Sequence, residues 1–188
     1  YRIQPGPRYY VGREEEVLSD SIIHPLLHPR DSLRQKKLFR GEQYTSYLAP
    51  GSVLSPQNMQ LERERIALIL ANRGYYGFSS DSVDTLEVND GWVRKLIAVP
   101  STTYRIGKVT LRHEGNDRSL PFRRDTLAGI AFEIDPEHYV RPGELAHRIW
   151  VRPGADYSLQ NTSRTYAALS DLAPLRNISV RYQVDSLS

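Results

Sequence analysis

One segment of this chain occurs twice. Pro50-Gly51 followed by Leu54-Ser55 returns as Pro153-Gly154 followed by Tyr157-Ser158, and the register holds without a gap. Ile66 matches Leu169, Ile69 matches Leu172 and Arg73 matches Arg176, all at an offset of 103 residues. A turn, a helix start, an apolar stripe and a helix end repeated at one spacing mark tandem copies of a single supersecondary unit. The 188 residues therefore read as two modules of roughly 90 to 100 residues each, an ordinary size for an independent domain.

Composition narrows the function classes. With 39% hydrophobic and 25% charged residues, each module can bury a modest core. No run approaches the roughly 18 apolar residues of a membrane helix. The chain starts at Tyr1 rather than Met, within strand-like sequence, and is expected to be a piece of a longer protein. The absence of Cys excludes disulfide staples, thiolate metal sites and a Cys nucleophile. The net charge of +3 carries little weight, because cations alternate with anions, as in Glu62-Arg63-Glu64-Arg65. That pattern is a mixed solvated face, not a nucleic-acid patch.

In the first module, Ser55 is a good N-cap and Pro56 a natural first helical residue, so a helix is expected over residues 56–73. Met59, Ile66, Ile69 and Leu70 form its apolar stripe, with Glu62 and Arg65 expected to face outward. Gly74 supplies the left-handed residue that ends it. Tyr75, Tyr76 and Phe78 follow, and are expected to cover the bottom of the core. Residues 82–89 and 92–99 are rich in β-formers and flank Asn89-Asp90-Gly91, the signature of a hairpin. Upstream, Tyr10-Val11-Gly12 continues into the alternating Arg13, Glu15 and Val17, a strand. A short helical stretch over residues 21–27, cut by Pro25 and Pro29, and a polar connection over 30–41 lead to the long helix. The module order is strand, short helix, longer helix, strand, strand.

The second module is expected to open with a strand over residues 104–111, to carry its long helix over 159–172, and to continue as a strand over 178–184. Between them, residues 129–134 and 147–151 read either as extra extended segments or as a degraded first helix. The partner strand that residues 92–99 provide in the first module has no counterpart, so the second module is expected to lack its last strand.

Catalytic and metal readings are weak. His24 and His28 are four apart, but Pro25 and Pro29 interrupt their helix and no acidic third ligand stands out. Glu14, Glu15 and Glu16 beside Arg13 read as a solvated strand end. No phosphate loop, G-x-S-x-G elbow or H-E-x-x-H is present. The chain is expected to be no enzyme and to hold no metal and no cofactor.

The strand-helix-helix-strand-strand order, with Arg73-Gly74-Tyr75-Tyr76-Gly77-Phe78 ending a helix that carries Glu62-Arg63 and Arg65-Ile66, resembles the POTRA domains of BamA- and TamA-like outer-membrane assembly factors. Tyr1 to Tyr9 looks like the last strand of a preceding domain and is most similar to the TamA-like type of Bacteroidota. The resemblance covers nearly the whole chain, least well over residues 112–150. It implies an α+β fold of tandem β-α-α-β-β modules, each a three-stranded mixed sheet with two helices on one face. The corresponding division is residues 1–8 as the end of a preceding module, 9–100 as one module and 101–188 as the next.

The same resemblance implies periplasmic domains of an outer-membrane protein, ahead of their own C-terminal β-barrel. Their partners would be nascent outer-membrane protein chains or assembly-complex subunits, with no nucleic acid and no small molecule. If the second strand of the hairpin lies centrally, the first lies at an edge where unpaired backbone groups can take on an extended chain. The expected edges are Val83, Asp84, Thr85, Leu86, Glu87 and Val88 in the first module, and Ile178, Ser179, Val180, Arg181 and Tyr182 in the second. Two alternatives stand beside this reading. One is a scaffold that docks accessory lipoproteins or an inner-membrane partner. The other is an RNA-binding sheet surface around Tyr104, Arg105 and Lys108, against which no RNP-like aromatic string occurs.

Overall fold

Two α+β units make up the chain, Tyr1–Thr103 and Tyr104–Ser188. The computed structural model describes residues 8–29, 43–89, 91–113, 121–136, 140–172, 175 and 178–185. Residues 1–7 of the expected preceding-module segment, the connection 30–41, the turn position Asp90 and the helix end at Arg176-Asn177 lie outside the described residues. Among the described residues each unit holds one three-stranded mixed sheet, and the two units together hold four α-helices.

In the first unit, β1 (Arg13–Leu18) leads to a 3-10 turn (Ser21–Ile23) and α1 (His24–Leu27). Then come α2 (Pro56–Ala71), a 3-10 turn (Ser80–Ser82), β2 (Val83–Asn89) and β3 (Trp92–Ile97). The sheet order is β1-β3-β2, with β1 parallel and β2 antiparallel to β3. Ser55 caps α2 by accepting from Asn58 N at 3.1 Å, and Pro56 opens it. At the β2–β3 turn only glycine fits position 91. Its φ is +79°, and a Cβ there would lie 2.4 Å from Tyr10 O. The turn thus closes directly against the entry to β1, whose Gly12 N donates to Gly91 O at 2.9 Å.

The core of this unit joins Ile23 and Leu27 to Ile66, Ile69 and Leu70 of α2 and to Val83 and Ile97 of the sheet. Tyr75 and Phe78 belong to it, while Tyr76 is partly exposed, so two of the three expected rings cover the core. A smaller cluster of Val11, Leu48 and Val93 takes in Leu54 and Met59. The outward placement expected of Glu62 and Arg65 is wrong, since both are buried. Their position three residues and six residues after Met59 puts them on the stripe that faces the sheet.

The second unit departs from the expected element order. It runs β4 (Val109–His113), β5 (Arg123–Leu127), β6 (Ile130–Ile134), α3 (Pro142–Arg148), α4 (Leu159–Ser170), which is strand, strand, strand, helix, helix. The sheet order β4-β6-β5 makes β6 central, parallel to β4 and antiparallel to β5. The reason lies in the run left open between strand and helix. Ile130, Phe132 and Ile134 alternate inward and are buried, which is a strand pattern, and they join Leu145, Ile149 and Leu169 in the core. The opening strand starts only at Val109, and residues 147–151 hold the end of α3 and an extended stretch pinned by Thr165 Oγ1, which accepts from Trp150 N at 2.8 Å.

The strand expected over residues 178–184 is not one: it joins no sheet among the described residues. Ile178 packs on the core, and Tyr182 shares a 2.6 Å hydrogen bond with Thr162 of α4 while its ring meets Tyr157 edge-on at 5.3 Å. This segment lies against a helix because its aromatic side chain is anchored there.

The repeated sequence itself folds alike in both units. Val11 N donates to Ser52 O and Gly51 N to Val11 O, at 2.8 and 2.7 Å, and Leu54 N donates to Tyr9 O. Ile106, Ala155, Gly154, Tyr157 and Tyr104 form the same three bonds, at 2.8, 2.7 and 2.9 Å. Both Pro-Gly turns place glycine at positive φ, +89° and +79°. Ser158 caps α4 as Ser55 caps α2. An extended segment thus clamps the turn that launches each long helix.

One residue is conformationally misplaced. The β5–β6 hairpin closes through Ala128 and Gly129 at φ +52° and +77°, the two-residue turn for which Asn-Gly is the favoured pair. Ala128→Asn is expected to stabilise the protein by roughly 0.5–1 kcal/mol. A urea midpoint that stays put or falls would show that the turn is not strained as described.

Candidate functional site

Two features of the first unit stand out chemically: a buried charge cluster beneath the sheet, and the outer edge of β2. The cluster follows from strand periodicity. Val93, Lys95 and Ile97 share the inward face of β3, so Lys95 lies between two core residues with no exposed surface. An ammonium in that position is tolerable only if paired and hydrogen-bonded. Parallel register sets Glu14 beside Val93 and Glu16 beside Lys95, and both carboxylates reach Lys95 Nζ at 2.5 Å. Glu62 descends from α2, and its Oε1 accepts a third hydrogen bond from Lys95 Nζ at 2.9 Å.

Further donors meet the same carboxylates. Arg65 forks onto Glu62 through Nε and Nη2, at 2.9 and 2.7 Å. Tyr47 N donates to Glu62 Oε2, Ser46 Oγ donates to Glu14, and His28 Nε2 lies 2.8 Å from Glu16 Oε2. Arg65 Nη1 donates to the Gln43 and Tyr44 carbonyls, so the cluster also fixes the segment leading into α2. The solvated strand end expected of Glu14 to Glu16 is corrected accordingly: only Glu15 points outward, where it pairs with Arg94 at 3.0 Å. On that outer face Arg13 and Arg94 each stack over Trp92 at 5.1 Å.

The electrostatics follow from this packing. Burial alone would raise the Glu62 pKa, but the hydrogen bond from Arg65 and the Lys95 and Arg65 charges outweigh it and hold the group at about 2. Glu16 is likewise held at about 2, against its burial, by His28 and Lys95. Burial pushes Lys95 down, yet Glu62 and Glu16 more than compensate and its pKa is raised. A lysine so thoroughly ion-paired is no free base or nucleophile. Its ammonium also fills the space between Glu14, Glu16 and Glu62, whose oxygens lie close enough to one another to hold a metal ion.

The edge is set by backbone direction. Ser19 N donates to Ile97 O, so the backbone groups of Ile97 face β1 rather than β2. Val83, opposite Ile97, is therefore a non-hydrogen-bonded partner, and so in alternation are Thr85 opposite Lys95 and Glu87 opposite Val93. The N–H and C=O of Val83, Thr85 and Glu87 point to the outer side of β2, while Asp84 and Leu86 bond to β3. The Val83 side chain is buried in the core and Asp84 is exposed. A register shift between Glu87 and Asn89 leaves Val88 as the bulge and ends the regular edge there. In the second unit the edge hairpin strand is β5, exposed along its whole length, and not the segment Ile178, Ser179, Val180, Arg181, Tyr182.

The charge cluster was missed in the sequence, although its signals were there. Lys95 alternates with Val93 and Ile97, and Glu62 lies on the stripe of Met59 and Ile66. Two opposite charges on two inward faces are the sign of a buried pair. Among the described residues no helix is long and apolar enough to cross a membrane.

No protein-family profile and no curated protein matches the chain. Among solved structures, the N-terminal domain of Omp85 from the thermophilic cyanobacterium Thermosynechococcus elongatus aligns over 89% of this chain and 87% of its own, at 9% identity and a TM-score of 0.28. A likeness of that size does not define a shared fold.

Depressed carboxylate pKa values stabilise the folded state above the unfolded-state value of about 4.5 and lose that contribution as pH falls toward the folded value of about 2. Stability is accordingly expected to drop steeply between about pH 4.5 and pH 2, with a smaller drop in Glu62→Gln, which has one such group fewer. Urea midpoints across this range that decline equally in the two proteins would contradict the assignment of Glu62.

Proposed function

We propose that the chain is a pair of non-catalytic binding modules of POTRA type that receive extended segments of outer-membrane proteins as an added strand. The observation that carries this reading is the outer side of β2, where Thr85 and Glu87 direct backbone donors and acceptors that no described residue pairs, while the Val83 N–H is already given to Ser80 O. Backbone pairing reads no particular side chain, so one edge serves many clients. The strand-helix-helix-strand-strand order of the first unit and the Arg73 to Phe78 helix ending support the POTRA assignment. On this reading the modules lie on the periplasmic side of the outer membrane, ahead of a barrel in the parent protein, and work with its assembly partners. The TamA-like subtype of Bacteroidota rests on the resemblance of Tyr1 to Tyr9.

The regular edge is short, running from the Val83 carbonyl to Glu87, because the bond from Val83 N to Ser80 O closes one end and the bulge at Val88 the other. In the second unit β5 takes the equivalent place.

Thr85→Pro tests the edge directly. It removes an outward N–H without breaking a bond to β3, so the fold is expected to survive with its circular dichroism unchanged. Binding of a synthetic 10-residue peptide of alternating barrel-strand pattern, followed by NMR shifts of β2 amides, is expected to weaken at least tenfold. Equal binding by the folded variant would refute strand addition at β2.

A further inference from the structure

Beside the charge cluster lies a set of groups that strand addition does not use. Glu16, His24 and His28 each offer one ligand atom, and all three atoms lie within 4.8 Å of one another. The geometry points to a zinc site formed by these three side chains, with a fourth position open to solvent. Two imidazoles and a carboxylate are a ligand set that zinc accepts. His24 and His28 stand four apart at the two ends of α1, a spacing that puts both rings on one side of the turn. Their centroids are 5.0 Å apart with planes tilted by 42°.

Three further observations favour a cation here. Glu16 is already oriented, because Lys95 holds its Oε1 and leaves Oε2 turned toward His28. Such support from behind is what fixes ligands in built metal sites. The cluster sets three carboxylates, Glu14, Glu16 and Glu62, against two cations, Lys95 and Arg65, leaving one negative charge in excess beside the imidazoles. Finally, little has to move. With ligand bonds near 2.0–2.1 Å, tetrahedral zinc needs donor atoms about 3.3 Å apart. The Glu16–His28 pair at 2.8 Å opens slightly, and His24, whose ring is exposed, swings in.

Pro25 does not prevent this arrangement. It occupies the first turn of α1, where a missing N–H costs nothing, so the turn that presents both histidines remains intact. The bound ion would tie α1 to β1 across the margin of the sheet.

The test uses the untagged, chelator-treated chain and zinc chloride in calorimetric titrations and thermal melts. One equivalent is expected to bind and to raise the melting temperature. His24→Ala is expected to melt like the unmodified chain without zinc but to bind zinc at least tenfold more weakly. His147→Ala is expected to bind normally. Absence of zinc binding, equal binding by His24→Ala, or loss of binding in His147→Ala would each overturn the proposal. Should His24→Ala fold poorly, His24→Gln replaces it, and in the unmodified chain the ring nitrogen signals of His24 and His28 must shift together on zinc addition. None of these outcomes bears on the β2 edge.

Discussion

The first unit is organised around one buried ammonium. Lys95 occupies the middle of the central strand, at a position where its neighbours on either side are core residues, and three carboxylates from two separate elements converge on it. Removing the ammonium from such a cluster costs about 3–5 kcal/mol, because three carboxylates are then left with Arg65 as their one cation. The cluster also fixes register. A slip of β1 by one residue would turn Glu14 and Glu16 to the solvent face and strand Lys95 against an apolar core. Hydrophobic contacts alone would not penalise that slip so heavily, since Val17 and Leu18 sit on alternate faces. With β1 locked to β3, β2 is left as the outer hairpin strand, and its edge carries backbone groups that the sheet does not use.

The second unit solves the same problem without charge. Its central strand presents Ile130, Phe132 and Ile134 inward, so no ion cluster is needed, and the hairpin forms ahead of both helices. What the two units share is narrower than a whole topology: a strand-entry segment clamped to a Pro-Gly turn, followed by a serine-capped helix. The internal repeat is thus a launching device for a helix, used once in each unit. The sheet on which each helix lies is assembled from strands in a different chain order.

That distinction explains which parts were legible from the sequence. Local signals held: the repeated Pro-Gly turns and helix starts, the Ser55 cap, the left-handed Gly74 and the hairpin around Gly91 all depend on short-range chemistry. The edge position of β2 was legible too, because a hairpin following two helices leaves few alternatives. The strand over residues 178–184 failed because alternation of Ile178, Val180, Tyr182 and Val184 measures extended conformation and not pairing; Tyr182 found Thr162 and Tyr157 instead. Glu62 and Arg65 failed for a related reason. Charge was read as exposure, when position on the stripe should have been weighed against it.

The state of Lys95 is therefore the most direct check. Nitrogen-detected NMR of the side-chain ammonium groups, followed from neutral to alkaline pH, should show one lysine whose protons exchange slowly with water. That signal should remain charged beyond the ordinary lysine value of 10.5. A spectrum in which every lysine titrates together, with no protected ammonium, would mean that Lys95 is hydrated and that the cluster does not hold the sheet.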